Sequence, residues 1–140
     1  MARILAIDFG LRRTGLAVTD PMQIIASPFQ AVESGNLISF LESYFMKEEV
    51  ELIVVGDPKN LDGTANPLSQ QVHKLVRELE KKFPEKKVVM VDERFTSKMA
   101  KQAMIDGGMK KMDRRNKAMV DTISATIILQ SYLESLSFNR

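Results

Sequence analysis

Hydrophobic positions in the first half of the chain predict three short strands followed by a helix. Apolar, β-prone runs cover residues 3–8 and 15–19, and the glycine-containing turn between them is typical of a hairpin. A third strand is predicted at 24–32, where Pro28 restricts it to a sheet edge or interrupts it. Residues 36–48 predict a helix because their apolar side chains recur at helical spacing. Those side chains are Leu37, Phe40, Leu41, Tyr44 and Phe45.

Strands alternate with helices in the second half of the chain. Continuous apolar runs at 52–55 and 87–91 predict strands that are buried on both faces. The alternation favours parallel pairing there, whereas the first three strands suggest an antiparallel meander. The whole order predicts one mixed α/β domain over residues 1–140. The predicted helices of this half cover 67–83, a segment from Thr96 or Ser97 to about 106, and about 116–135.

Composition excludes several classes of protein. Hydrophobic residues make up 44% of the 140 positions and charged residues 27%, which are globular values and exclude disordered and collagen-like chains. Without cysteine there is no disulfide framework, thiolate metal site or cysteine nucleophile. The chain shows neither a secretory pattern nor an apolar stretch of membrane-spanning length, so a cytoplasmic protein is expected, with no membrane partner. The net charge of +2 indicates no partner by itself.

Several common kinds of catalytic site are missing from the sequence. There is neither a GxxxxGK[ST] phosphate loop nor a GxGxxG motif. His73 is the only histidine, which is too few for a histidine-based zinc site. Its simplest interpretation is a residue at the surface or boundary of the 67–83 helix. Carboxylates therefore remain as the candidates for chemistry.

Carboxylates follow three of the predicted strands. Asp8 ends the first strand, Asp57 follows the 52–55 run, and Asp92 and Glu93 end the 87–91 run. Ligands of open α/β sheets gather at the carboxyl ends of the strands. Asp121 interrupts the apolar pattern of the last helix, so it lies either on an exposed stripe or in a paired environment. Clustered oxygen donors suit magnesium, and two such ions about 3.5–4 Å apart can cleave a phosphodiester.

Basic residues accompany these carboxylates. A polyanionic substrate requires cations around the site, and the densest basic group directly precedes Asp121. Although any one of these residues can be a solvated surface charge, a local excess of this kind favours phosphate binding. Aromatic residues are not interleaved with them, so base stacking is not the evident mode of recognition. The basic residues are Arg12, Arg13, Lys59, Arg94, Lys98, Lys101, Lys110, Lys111, Arg114, Arg115 and Lys117.

Four sequence blocks carry a resemblance to a known family. DFGLRRTGLAV at 8–18, VGDPKNLDGT at 55–64, VDERFTS at 91–97 and VDTISATIIL at 120–129 resemble the YqgF/RuvX family in order and spacing. The resemblance implies a ribonuclease H-like fold, with a five-stranded mixed sheet, an antiparallel second strand and helices on both faces. Members are described as Holliday-junction resolvases and as nucleases that process the 5′ end of precursor 16S ribosomal RNA.

The resemblance also implies roles for individual residues. Asp8, Glu93 and Asp121 match the catalytic ligands of Mg²⁺ or Mn²⁺. Successive strand residues face opposite sides, so only one of Asp92 and Glu93 faces the metals, and Glu93 is favoured. Asp57 stands where the family usually has an apolar residue; it is an extra ligand or a turn residue, and the turn is favoured. Substrate contacts are implied for Arg12, Arg13, Asn60, Thr64, Arg94, Thr96 and Ser97, and phosphate contacts are expected from Lys110, Lys111, Arg114, Arg115 and Lys117.

Four functions remain open from the sequence. The leading hypothesis is a magnesium-dependent nuclease on structured RNA, with ribosome precursor particles as partners. The same chemistry on branched DNA would need two symmetric cuts and hence a two-fold dimer, and the sequence leaves monomer or homodimer open. A nucleotide-binding protein like the actin-like ATPases would need two such domains. A ribosome-assembly factor with little catalysis would bind nucleic acid even without its metal ligands.

Overall fold

Five strands form a single sheet in the order β3-β2-β1-β4-β5. The computed structural model describes residues 2–58, 67–93 and 117–138, with the side chains of the last segment described from 122 to 136. Strands β1, β2 and β3 pair antiparallel, whereas β1, β4 and β5 pair parallel. The strands are β1 (Arg3–Asp8), β2 (Arg13–Thr19), β3 (Ala26–Glu33), β4 (Val50–Asp57) and β5 (Lys87–Asp92).

Three α-helices lie within the described residues. They are α1 (Leu37–Lys47), which a short 3₁₀ turn at Ser34–Asn36 precedes, α2 (Pro67–Lys82) and α3 (Lys117–Phe138). The predicted helix from Thr96 or Ser97 to about 106 lies outside the described residues. Within the part that is described, no helix is long and apolar enough to cross a membrane.

The sheet is covered on both faces because its central strands alternate apolar side chains between two cores. One core packs under α1 and α2, and the other packs under α3. The first core includes Leu5, Ile7, Ile53 and Val55 with Leu41, Val72 and Leu79. The second core includes Ile4, Ala6, Leu52 and Val54 with Ala125, Ile128 and Leu129. These two layers confirm the predicted five-stranded mixed sheet, its antiparallel second strand and the helices on both faces.

The structure confirms one detail of the predicted strands and changes another. Pro28 lies on edge strand β3, as expected, and the β2–β3 register shifts beside it. Strand β4 continues past the predicted 52–55 run to Asp57, which pairs in register with Asp92 of β5. The interpretation of Asp57 as a turn residue is therefore wrong, because the parallel ladder to β5 extends the strand through it.

Candidate active site

Asp8 and Glu93 come to the α3 face of the sheet from two strands that flank β4. In β1, Ile4 and Ala6 pack under α3, and alternation places Asp8 on that same face. Gly56 pairs with Val91 in β5, and Ile7 pairs with Val55, so Gly56 separates the ends of β1 and β5. The two carboxylates therefore share one face and one edge of the sheet, although 85 residues separate them in the chain.

Gly56 makes the space that the Glu93 side chain occupies. A Cβ built on Gly56 would lie 3.2 Å from the Cδ of Glu93 and 2.6 Å from the Cδ1 of Ile128. Both distances are shorter than ordinary van der Waals contact between carbon atoms. Glycine at position 56 therefore leaves room for the Glu93 carboxyl group to lie over β4. A glycine that follows a run of β-branched residues in a buried strand is the sequence signal of such a close approach.

Replacing Gly56 by alanine is expected to destabilise the protein by about 1–3 kcal/mol, the usual cost of overpacking a core. The Cδ1 atom of Ile128 lies nearest to the added Cβ, so removing it should recover part of the lost stability. The measurement is urea unfolding of Gly56→Ala, Ile128→Val and the double variant. Simple additivity of the two single changes would contradict the proposed clash, because residues in contact should couple.

Glu93 lies in an electrostatic environment that disfavours its charge. Burial raises the pKa of its carboxyl group above the ordinary value of 4.5, and the negative charges of Asp57 and Asp92 raise the pKa further. A carboxylate held against both burial and like charge gains from a nearby cation. This donor set, carboxylate oxygens surrounded by excess negative charge, fits a hard divalent metal ion. Within the described side chains, no three candidate ligands form a metal-binding group.

The raised pKa of Glu93 predicts a specific pH dependence of stability. Between pH 4.5 and the raised value, the folded state holds a proton that the unfolded state has released. The free energy of unfolding therefore falls as the pH rises through this window, so the Glu93 carboxyl group makes the metal-free protein less stable at neutral than at acidic pH. We expect Glu93→Gln to raise the urea midpoint at pH 7 and to change it less at pH 4. An equal change at both pH values would exclude this electrostatic cause.

The two neighbouring aspartates face the other side of the sheet. Val55 belongs to the core under α1 and α2, and Asp57 follows it by two residues, so both lie on that face. Asp57 is 3% exposed and accepts a hydrogen bond from Ser69 Oγ of α2, at 2.7 Å. Asp92 pairs with Asp57, whereas Glu93 reaches back over Gly56 to the α3 face. The structure therefore brings Glu93, and neither Asp57 nor Asp92, to the face of Asp8.

The β1–β2 hairpin carries two predicted phosphate contacts to the same edge. Arg12 and Arg13 are exposed at its turn. The start of the 3₁₀ turn holds this hairpin, because Ser34 donates its backbone N–H to the carbonyl of Arg12 at 2.9 Å and its hydroxyl to the carbonyl of Gly10. Ser34 is a positioning residue that the sequence alone did not indicate, since it lies on the far side of β3 in the chain.

The remaining predicted site residues fall on segments whose side chains the structure does not describe. Position 121 lies in α3, one helical turn before Ala125 and about two turns before Ile128, whose Cδ1 approaches Gly56. This places the backbone of Asp121 toward the end of α3 that is nearer the site. Lys117 also lies in α3. Outside the described residues are Asn60, Thr64, Arg94, Thr96, Ser97, Lys110, Lys111, Arg114 and Arg115.

Comparison with known proteins decides the family. Residues 2–135 match the model of a family described as RuvX, Holliday junction resolvase. The chain belongs to the RuvX family. It is 56% identical over 133 residues to a protein of Christiangramia forsetii named "Putative pre-16S rRNA nuclease", with 95% of this chain and 98% of that protein covered. A protein of the same name from Phocaeicola vulgatus is 54% identical over 138 residues, with 99% of each chain covered.

Membership of the RuvX family confirms the resemblance carried by the four sequence blocks. In the structure the first block begins at Asp8, the last residue of β1, and covers the hairpin turn and most of β2. The second block begins at the end of β4. The third block begins in β5 and includes Glu93, and the fourth lies within α3. The first and third blocks thus bring Asp8 and Glu93 to the carboxyl ends of the parallel strands.

Proposed function

We propose that this protein is a metal-dependent nuclease that processes the 5′ end of precursor 16S ribosomal RNA. The observation that carries the proposal is the placement of Asp8 and Glu93 on one face of the sheet, on either side of Gly56. Carboxylates from non-adjacent strands, meeting at the carboxyl edge of parallel strands, are arranged to hold a cation against a phosphate. The names of the Christiangramia and Phocaeicola relatives support the RNA substrate.

The proposed metal ligands are Asp8, Glu93 and Asp121. All three supply carboxylate oxygens, which suit Mg²⁺ and also Mn²⁺. Asp8 ends β1, the middle strand of the sheet, and would hold the ion together with Glu93, which follows β5. Bound divalent ions supply an activated water and stabilise the charge that develops on the phosphate oxygens. Relief of the unfavourable charge on Glu93 contributes to metal binding at neutral pH.

The protein's own residues position the substrate for hydrolysis. In the reaction, the oxygen of water forms a bond to phosphorus and one phosphorus–oxygen ester bond breaks. Arg12 and Arg13, at the hairpin turn, would donate hydrogen bonds to phosphate oxygens near Asp8. Further phosphate contacts are proposed for Asn60, Thr64, Arg94, Thr96, Ser97, Lys110, Lys111, Arg114, Arg115 and Lys117.

A side-by-side cleavage assay tests the proposed substrate. The wild-type protein would receive a precursor 16S ribosomal RNA fragment and a four-way DNA junction, each with Mg²⁺, with Mn²⁺ and with a chelator. We expect cleavage of the RNA in the presence of metal and none with the chelator. Junction cleavage without RNA cleavage would replace the proposal by a resolvase activity, which the family description names. Binding of RNA without cleavage under any metal would indicate an assembly factor.

A further inference from the structure

A buried carboxylate on the opposite face of the sheet is tied to α2. The Asp57 side chain is 4% exposed, and a buried charge of this kind requires partners. Ser69 Oγ lies 2.7 Å from its Oδ1, and His73 Nε2 lies 3.3 Å from its Oδ2. Both partners are on α2, so the last residue of β4 is joined to the first two turns of that helix.

The contact to Asp57 fixes how His73 presents its ring. A carboxylate accepts hydrogen bonds, so Nε2 carries the hydrogen in this contact and Nδ1 is the ring nitrogen left for a ligand. The His73 side chain is 44% exposed, in contrast to its buried partner. An imidazole with a hydrogen on each ring nitrogen can donate from Nδ1 to a phosphate oxygen while Nε2 donates to Asp57. This arrangement orients an imidazole outward, with a buried carboxylate behind it.

Ser69 and His73 line a cavity of about 360 Å³ on the surface of α2, together with Gln70 and Arg77. Gln70, His73 and Arg77 follow one another at intervals of three and four residues, so they form one stripe along the helix. The groups of this stripe are an amide, an imidazole and a guanidinium, and none carries a negative charge. Arg77 makes no ion pair with another described residue. Guanidinium groups bind phosphate through two parallel hydrogen bonds.

This cavity and the candidate metal site flank the same strand end. Glu93 lies over Gly56 on one face of β4, and the next residue, Asp57, holds His73 on the other face. Helix α2 begins at the carboxyl edge of the sheet and runs away from it toward the start of β5. Gln70 therefore lies nearest the edge, and Arg77 lies about 10 Å farther along the helix axis. An RNA strand that passes from the metal site across this end of the sheet would run along the row formed by Gln70, His73 and Arg77.

We propose that Gln70, His73 and Arg77 form a second phosphate-binding site, which holds the backbone of the RNA substrate away from the scissile bond. Asp57 is the positioning residue that orients His73 within it. The choice of RNA as the source of the phosphodiester rests on the proposed function. Because the site lies on the face opposite Asp8 and Glu93, its contribution to binding is separable from cleavage.

The test measures RNA binding in protein that does not cleave. The Asp8→Asn variant would be titrated with a fluorescein-labelled precursor 16S ribosomal RNA fragment, followed by anisotropy at several salt concentrations. Adding Arg77→Gln should weaken binding about fourfold at 0.15 M salt and lower the salt slope by about 0.7, the effect of one lost phosphate contact on a single strand. Lys47→Gln is the matched control, because it removes one charge from the end of α1, at the opposite edge of the sheet.

His73 supplies an independent readout because it is the only histidine in the chain. Its ring cross-peaks in a heteronuclear NMR spectrum need no assignment. They should move when unlabelled RNA is added to labelled Asp8→Asn protein, and inorganic phosphate should move them in the same direction. Adding Asp57→Asn should alter the ring signals of the free protein and weaken RNA binding as much as His73→Gln does, an outcome that a purely structural role for Asp57 would not produce.

Three results would overturn the second site. They are equal effects of Arg77→Gln and Lys47→Gln, ring signals of His73 that stay fixed at saturating RNA, or a response to inorganic phosphate without a response to RNA. None of them depends on cleavage. If the wild-type protein fails to cut RNA while Arg77→Gln weakens binding as expected, the nuclease proposal falls and the second site stands.

Discussion

Replacement of Asp8 by asparagine is expected to lower the rate of RNA cleavage by about 1,000-fold or more. The change removes the negative charge of the proposed metal ligand that ends β1, the central strand of the sheet. A loss of about 4 kcal/mol of transition-state stabilisation, which is what a bound metal ion supplies, corresponds to three factors of ten in rate. The measurement is single-turnover cleavage of the precursor RNA fragment with saturating Mg²⁺.

Asp20→Asn is the matched control for this prediction. Asp20 follows β2 at the opposite edge of the sheet, where its carboxylate accepts hydrogen bonds from the backbone N–H groups of Ile24 and Ile25 at 2.9 and 2.8 Å. The same chemical change there should leave the cleavage rate within about threefold of wild type. Mg²⁺ should raise the unfolding midpoint of Asp20→Asn but not that of Asp8→Asn. Cleavage by Asp8→Asn at the wild-type rate would refute the metal site.

The second large loss of cleavage rate is expected on substitution of Glu93, and not on substitution of its neighbour Asp92. Glu93→Gln should slow cleavage by about 100-fold, since a direct ligand contributes at least as much as the 10- to 100-fold typical of outer partners. Asp92→Asn removes an equal charge from the other face of the strand end and should stay within about threefold of wild type. The comparison needs only the two single variants in the same single-turnover assay. Equal losses in both variants would contradict the assignment of Glu93.

Glu93→Gln should combine lost activity with gained stability. Burial and the charges of Asp57 and Asp92 raise the pKa of Glu93, so this carboxyl group lowers the stability of the metal-free fold as the pH rises above 4.5. Function at the expense of stability is the usual signature of an active-site residue. A variant that lost both activity and stability would instead show that Glu93 supports the fold.

Most of the architecture could be predicted from the sequence, since its elements follow from local patterns. The apolar spacing predicts a helix at 36–48, and α1 runs from Leu37 to Lys47. The 52–55 run is buried on both faces, as a continuous apolar strand in a covered sheet must be. The end of β4 was less predictable. Asp57 looks like a turn residue before proline, but pairing with β5 keeps it in the strand.

The candidate site was only partly predictable. Strand alternation indicates that only one of Asp92 and Glu93 faces the metals, and the family resemblance favours Glu93. The structure places Glu93 on the face of Asp8. The contacts of Asp57 with α2 could not be predicted from strand alternation. Its contact with His73 joins a strand to a helix 16 residues later, and no periodicity relates the two positions.

Local sequence patterns were therefore sufficient to predict the strands, the helices and the acidic residues at the strand ends. Hydrophobic periodicity and strand alternation act over a few residues, so they can be recognised without knowing the fold. Packing between distant segments set the rest: the space over Gly56 that admits Glu93, the Ser34 contacts that hold the hairpin, and the pairing of Asp57 with α2. Such contacts depend on which strands become neighbours and in what register, and these follow from burying both sheet faces at once.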